Sequence, residues 1–200
     1  MRILIIGGYG TIGKRVTEHF SMEHQVILAG RNNGDIQVDI SDSESIEKMY
    51  RDAGELDAVI CIAGEAKWAP FYDMSEADYQ VGLQSKLMGQ VNLVRLGAEY
   101  LPKGASITLT TGILADDPVP MTTSAAMVNG GIHSFVKAVD LEIKKGIRVN
   151  VVSSGLVEDA VEKYSSYFPG HHPIPMDKVV RAYIRSVEGR GRGEIIRIYE

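Results

Sequence analysis

Short apolar runs alternate along this chain with longer stretches whose apolar positions recur every three or four residues. The runs at 3–6, 26–29, 58–63, 107–111, 147–152 and 195–198 are short and rich in β-type residues, chiefly Ile, Val and Leu, with Thr at 108, 110 and 111. That pattern predicts strands covered on both faces. A weaker run at 36–39 predicts one more. Between them, Ile12, Val16 and Phe20 share a helical face, as do Leu83, Leu87, Val91 and Val94. Ile132, Phe135, Val136, Val139 and Ile143 make another stripe, so the pattern predicts two long helices near 83–100 and 124–145. Ser41 and Ser43 are N-cap candidates for a helix over 44–52. Strand–helix alternation of this kind implies a parallel sheet with right-handed crossovers: an α/β, Rossmann-type, doubly wound fold. At 200 residues the chain suits a single domain over 1–200 with a substantial core. The segment at about 158–175 reads as irregular and is too long for a mere connector.

Composition narrows the function classes. A net charge of -5 argues against general nucleic-acid binding, which needs a basic footprint. The lone cysteine, Cys61, lies in an apolar run and has no internal partner, which fits a reducing compartment. No apolar stretch approaches membrane-spanning length. The opening Met-Arg-Ile-Leu-Ile-Ile enters a strand at once rather than a signal peptide. The expected setting is cytoplasmic, with no membrane and no nucleic acid as partner.

The most specific chemistry stands at the N-terminus. Gly-Gly-Tyr-Gly-Thr-Ile-Gly follows the first apolar run directly. Gly7 permits the tight turn leaving the strand, Gly10 lets backbone approach a pyrophosphate, and Gly13 lets the helix pack close to the sheet. The helix start supplies N–H donors and a positive dipole end. Tyr9, Thr11 and Ile12 complete the turn as cofactor-binding candidates. The second predicted strand ends in Ala-Gly-Arg-Asn, where an NAD site would carry an acidic residue for the ribose 2′-OH. Arg31, with Asn32 beside it, instead offers a planar fork to a 2′-phosphate, so NADP(H) is the expected cofactor. Asp39 is placed to hold the adenine amino group. Ala63 and Gly64 end the fourth strand with little side-chain bulk, leaving room for the cofactor.

Taken together, these segments resemble the short-chain dehydrogenase/reductase family over almost the whole chain. The matching residues are Gly-Gly-Tyr-Gly-Thr-Ile-Gly at 7–13, Ala-Gly-Arg-Asn at 29–32, Val-Asp-Ile at 38–40, Ile-Ala-Gly at 62–64 and Gly-Ile-Arg-Val-Asn-Val-Val at 146–152. The resemblance implies a seven-stranded sheet, a nicotinamide cofactor and a small-molecule substrate. It also implies a homodimer or homotetramer assembled through the two long helices. Ser154-Gly155-Leu156-Val157 sits where the family has Pro-Gly and a residue whose backbone meets the nicotinamide carboxamide, which points to Val157. The segment at 164–172 is implied to fold over the substrate.

The acid/base residues depart from that family. Its tyrosine and, one helical turn later, its lysine fall on Ala125 and Asn129. The family serine falls on Thr111 or Gly112, and the family asparagine near Lys86. Candidate substitutes are Lys86, as a cation toward the ribose or a substrate carbonyl, and Thr111, as a hydroxyl toward a substrate oxygen. Asn129 is a candidate amide toward the nicotinamide ribose. Tyr164, Tyr167 and the pair His171-His172 are proton-donor candidates, weighed against simple packing of Tyr167 and Phe168 with solvated histidines. No metal site is expected, since the histidine pair lacks a third ligand. Asp116-Asp117 reads as a loop charge pair. Two functions stay open: an NADP(H)-dependent oxidoreductase with non-standard acid/base residues, or a catalytically inactive NADP(H)-binding sensor or regulatory protein.

Overall fold

A computed structural model describes residues 1–199. Seven parallel strands form one sheet: β1 (Arg2–Ile6), β2 (Gln25–Gly30), β3 (Ile36–Gln37), β4 (Ala58–Cys61), β5 (Ser106–Gly112), β6 (Arg148–Ser154) and β7 (Ile195–Ile198). Their spatial order is β3-β2-β1-β4-β5-β6-β7. The helices are α1 (Thr11–Phe20), α2 (Ser43–Ala53), α3 (Glu76–Gly82), α4 (Gly89–Tyr100), α5 (Thr123–Val139), α6 (Val161–Tyr164) and α7 (Met176–Glu188). The order reverses between β1 and β4, so their carboxyl ends diverge and leave a crevice there, where ligands of open α/β sheets bind.

Strand alternation divides the core in two. Leu4, Ile6, Val59, Ile107, Leu109, Val149 and Val151 face α2, α4 and α5. Ile3, Ile5, Ile60 and Val152 face Val16 and Phe20 of α1 and Val179 and Tyr183 of α7. A one-residue slip in register would exchange these sets, so covering both faces specifies the pairing strongly.

Several local features differ from the sequence pattern. Strand β4 ends at Cys61, so Ala63 and Gly64 follow the strand rather than end it, and the predicted 83–100 helix is divided into a π-helical stretch at Leu83–Met88 and α4. Strand β3 holds only Ile36 and Gln37, because Asp39 turns out to accept from the Ser41 N–H and hydroxyl at 2.9 and 2.7 Å. The cap of α2 is Asp42, not Ser41 or Ser43, and its carboxylate accepts from the Glu44 N–H. Helix α5 stops at Val139, because Arg192 takes both the carboxylate and the carbonyl of Asp140 at 2.7 and 3.0 Å. The 158–175 segment is not irregular throughout: it contains α6 and short 3-10 turns at Glu158–Ala160 and Ser165–Tyr167. Turns of three or four residues are too brief to leave a period in the sequence.

Candidate functional site

The glycine turn is built by close packing. Gly7 has φ +83, and a Cβ there would stand 2.9 Å from the Ile62 carbonyl oxygen. At Gly13 a Cβ would stand 2.1 Å from the Gly7 oxygen. Both positions therefore exclude a side chain. Gly10 caps α1 with no side-chain hydrogen bond, and the first turn of the helix contains no acidic residue. Its leading N–H groups and positive dipole end are thus left for an anion. The cradle fits a nucleotide pyrophosphate on those observations.

A cavity of 370 Å³ runs from this turn along the ends of β1, β2 and β4. Gly7, Tyr9, Gly10, Arg31, Ala63 and Gly64 line it. So do Glu65 and Ser85, which the sequence reading missed. Asn33 stands in the lining where the sequence points to Asn32. The chain folds back after Gly30, so closely that a Cβ on Gly30 would meet the Asn33 oxygen at 2.7 Å. Asp39 is outside the lining. Its carboxylate is held well below the usual range, first by the Ser41 hydroxyl and N–H and then by Arg31. Arg31 lies between two carboxylates, with Nε 3.3 Å from Asp39 Oδ2 and Nη1 3.4 Å from Glu65 Oε1.

A second cavity of 270 Å³ lies across the start of α1. Thr11, Ile12 and Val157 face this one. Its walls are mostly carbon: Trp68, Ile113, Leu114, Leu156 and Phe168, with Tyr164 at the side. Trp68 sits 5.5 Å from the Tyr164 ring and edge-on to Tyr167 at 5.6 Å. The covering segment is tied down by Val157 pairing with Ile174 and by the Glu158 carboxylate accepting from the Met176 N–H at 2.8 Å. Phe168 is buried, His171 reaches Asp117 at 3.5 Å, and His172 is exposed. No group of three metal-ligating side chains occurs among the described residues.

The three acid/base candidates stand on three different elements. Lys86 lies in a π-helical stretch, Leu83–Met88, that joins α3 to α4. A π-turn widens the helix and is frequent at functional sites. Its backbone and stem press on Gly64, which has φ +113 and where a Cβ would stand 2.9 Å from the Lys86 Cα. Burial pulls the Lys86 ammonium below its ordinary pKa. Thr111 does not reach the apolar cavity. Its hydroxyl points into the protein and shares a 2.8 Å hydrogen bond with His133 Nε2 of α5. Gly112, the next residue, is the one that lines the cavity. Asn129 is buried behind it, 4% exposed, and its Oδ1 has no partner.

Asp116 is no simple loop charge. It accepts from Arg197 at 2.8 and 3.2 Å and from the Tyr199 hydroxyl. Tyr199 also meets Ser153 at 3.0 Å. The Arg197 guanidinium and the Tyr199 hydroxyl hold the Asp116 carboxyl down at about 2. Burial, then the bond to Asp116, pushes Tyr199 up to about 12. His133 stands 4.0 Å from Asp116, and its pKa is lowered chiefly by burial. This network joins the ends of β5, β6 and β7 to α5. No motif announces it, because its members are scattered from 111 to 199.

Known proteins bear on this geometry. The family described as enoyl-(acyl carrier protein) reductase matches residues 16–177. The protein lin1944 from Listeria innocua is 42% identical and superposes with a TM-score of 0.97, covering 100% of each chain. A small-chain dehydrogenase solved in complex with NADPH is 27% identical, with a TM-score of 0.86 over 99% of this chain and 96% of that one. Glucose and ribitol dehydrogenase homolog 2 of Arabidopsis thaliana is 23% identical over 90% of this chain and 76% of that protein. With the seven-stranded sheet and the glycine turn, these matches place the chain in the short-chain dehydrogenase/reductase family.

Proposed function

We propose that this chain is an NADP(H)-dependent oxidoreductase whose acid/base residues are not the tyrosine and lysine of its family. The observation that carries the reading is the side-chain-free cradle of Gly7 and Gly13 opening into a groove that ends at Arg31. The NADPH complex of a related small-chain dehydrogenase supports the choice of cofactor. Gly7, Gly10 and Gly13, with the first N–H groups of α1, hold the pyrophosphate. Arg31 takes the 2′-phosphate, and Ala63 and Gly64 leave space for the ribose. The nicotinamide supplies the hydride; the protein supplies orientation and electrostatics.

Ala125, at the register of the family tyrosine, packs with Leu114 and Phe168 in the apolar cluster. It gives no proton. Acceptors that need little protonic help, such as quinones and activated double bonds, suit this site best. Lys86, whose stem packs on Gly64, is the cation we assign to oppose charge developing on an acceptor oxygen and to bond a ribose hydroxyl. Tyr164 is the phenol on the cavity wall.

Val94, Phe135, Val139 and Ile143 line an apolar groove between α4 and α5, which supports assembly of two or four copies through that face. No helix among the described residues is long and apolar enough to cross a membrane.

The test has two stages. Fluorescence titration with NADPH and NADH should give binding of both, tighter for NADPH. NADPH oxidation is then followed across quinones, enones and simple ketones, and quinones or enones should turn over fastest. Binding without turnover of any acceptor would move the protein to the sensor reading, while no nucleotide binding at millimolar levels would sink both.

A further inference from the structure

We infer that the wall of the apolar cavity holds a subsite for one hydroxyl group of the substrate, formed by the bare Cα of Gly112, the Asn129 carboxamide and the Ser154 carbonyl. The inference rests on reading that cavity as the substrate site. Gly112 ends β5 and pairs with Ser154 of β6, and both line the cavity. Nothing in the backbone demands glycine there. Its φ of -151 and ψ of 172 are ordinary extended values.

Packing does not demand glycine either. A Cβ at 112 would meet only the Ser154 oxygen at 3.4 Å and Asn129 Nδ2 at 3.9 Å. The absent side chain therefore leaves a gap bordered by an acceptor and a donor. Asn129 is short of partners: it is 4% exposed and its Oδ1 is unmatched. A buried polar group left unpaired is unfavourable, so the gap favours a ligand that brings the missing polar atom.

The chemistry of that atom follows from its neighbours. A hydroxyl both donates and accepts, so it can donate to the Ser154 carbonyl and accept from Asn129. A carboxamide can turn either end to the gap, and a hydroxyl serves both. A ketone oxygen or an ether oxygen only accepts, and so cannot supply the donor that the unmatched Asn129 Oδ1 lacks. The remaining walls are mostly carbon, with hydroxyls only at Thr11 and Tyr164 besides Ser154, and none of the thirteen lining residues is charged. Charged substrates are thus disfavoured by desolvation. The substrate class is an uncharged, largely apolar compound that carries a free hydroxyl.

Trp68, the sole tryptophan of the chain, lines the same cavity, so its fluorescence reports occupancy directly. Titrations of the full-length protein, with and without NADPH, compare α-hydroxyacetophenone with acetophenone and α-methoxyacetophenone. The hydroxy compound should bind about tenfold tighter than either analogue, the scale of one well-made hydrogen bond. Gly112→Ala fills the gap and Asn129→Leu removes the amide; each should erase that preference. Gly112→Ala should leave NADPH affinity unchanged. Equal binding of the three compounds, failure of all three to bind, or a preference that survives in Asn129→Leu overturns the inference. A hydroxyl preference retained by a protein that ignores NADPH would strike the cofactor assignment alone.

Discussion

The two cavities flank the same helix start and are built on opposite terms. The one under β1, β2 and β4 is made by backbone: two glycines packed against carbonyls, an uncapped helix end and a guanidinium at the far rim. The other is made mostly by side chains brought from four separate segments, at 11–12, at Trp68, at 112–114 and at 154–168. Backbone sites tolerate almost no substitution and admit one ligand class. A side-chain cavity over the same sheet can change its acceptor with a few replacements. The difference locates the conservative part of the chemistry on one side of α1 and the adaptable part on the other.

The largest effect should come from breaking a side chain that packs on Gly64, in the wall of the backbone-built cavity. If Lys86 supplies the charge that opposes an acceptor oxygen, Lys86→Met lowers kcat by roughly 10² or more, the scale of one electrostatic donor. The same change should raise stability. Burial lowers the folded pKa of Lys86 below 10.5, so below that folded value the charged form is a desolvation cost, and it is relieved as pH rises toward the unfolded pKa. Activity and stability therefore move in opposite directions, read by steady-state kinetics and thermal melts at neutral pH. Unchanged kcat removes Lys86 from the mechanism.

The glycine turn of that same cavity should break next. Gly13→Ala places a carbon 2.1 Å from the Gly7 oxygen, a backbone atom that cannot swing aside. The turn must open, at a cost of about 1–3 kcal/mol. Melting temperature and NADPH affinity should fall together. A variant that melts like the parent and still binds NADPH would show that the turn is not the phosphate cradle.

The rim sharpens the comparison with two changes of opposite sign. Arg31→Asp removes the phosphate partner and should weaken NADPH by about tenfold, with little effect on NADH. Glu65→Gln should tighten NADPH. At present the Glu65 carboxylate lies 3.4 Å from the guanidinium and competes with a phosphate for it. Both side chains are more than half exposed, so water screens the pair and the gain should stay within a few-fold. Equal shifts for NADPH and NADH in either variant would show that neither residue reads the phosphate.

The same contrast explains what could be read without coordinates. The glycine spacing, the strand alternation and the arginine after β2 are local signals, written within a few residues each, and they located the fold and the groove that runs from the glycine turn to Arg31. Even there the fold-back after Gly30 exchanged Asn32 for Asn33. Thr111 and Gly112 could not be told apart by counting, because a strand turns neighbouring side chains to opposite faces. Only the register shows Thr111 facing His133 while Gly112 faces the cavity. Trp68, Glu65 and the Asp116 network carry no motif, since long-range closure of the chain assembles them.

The smallest expected effect tests whether that network is structural support rather than chemistry. His133 is faced by Asp116 from the segment after β5, by Arg197 from β7, by Lys137 on its own helix, and by Thr111 through their hydrogen bond. Burial outweighs the pull of Asp116, so its folded pKa lies below 6.5. Between that value and 6.5 the unfolded chain binds more protons than the folded one, so stability falls as the solution is acidified through this window. In His133→Asn the slope of stability against pH should flatten there. Asp116 acts lower and in its own window: its stabilisation is full above about 4 and is lost as pH falls through about 2. Denaturant unfolding at several pH values separates the two. If His133→Asn instead shifts the pH profile of kcat and leaves the stability slope alone, the histidine belongs to the reaction, and the division between a rigid and an adaptable side must be redrawn to include α5.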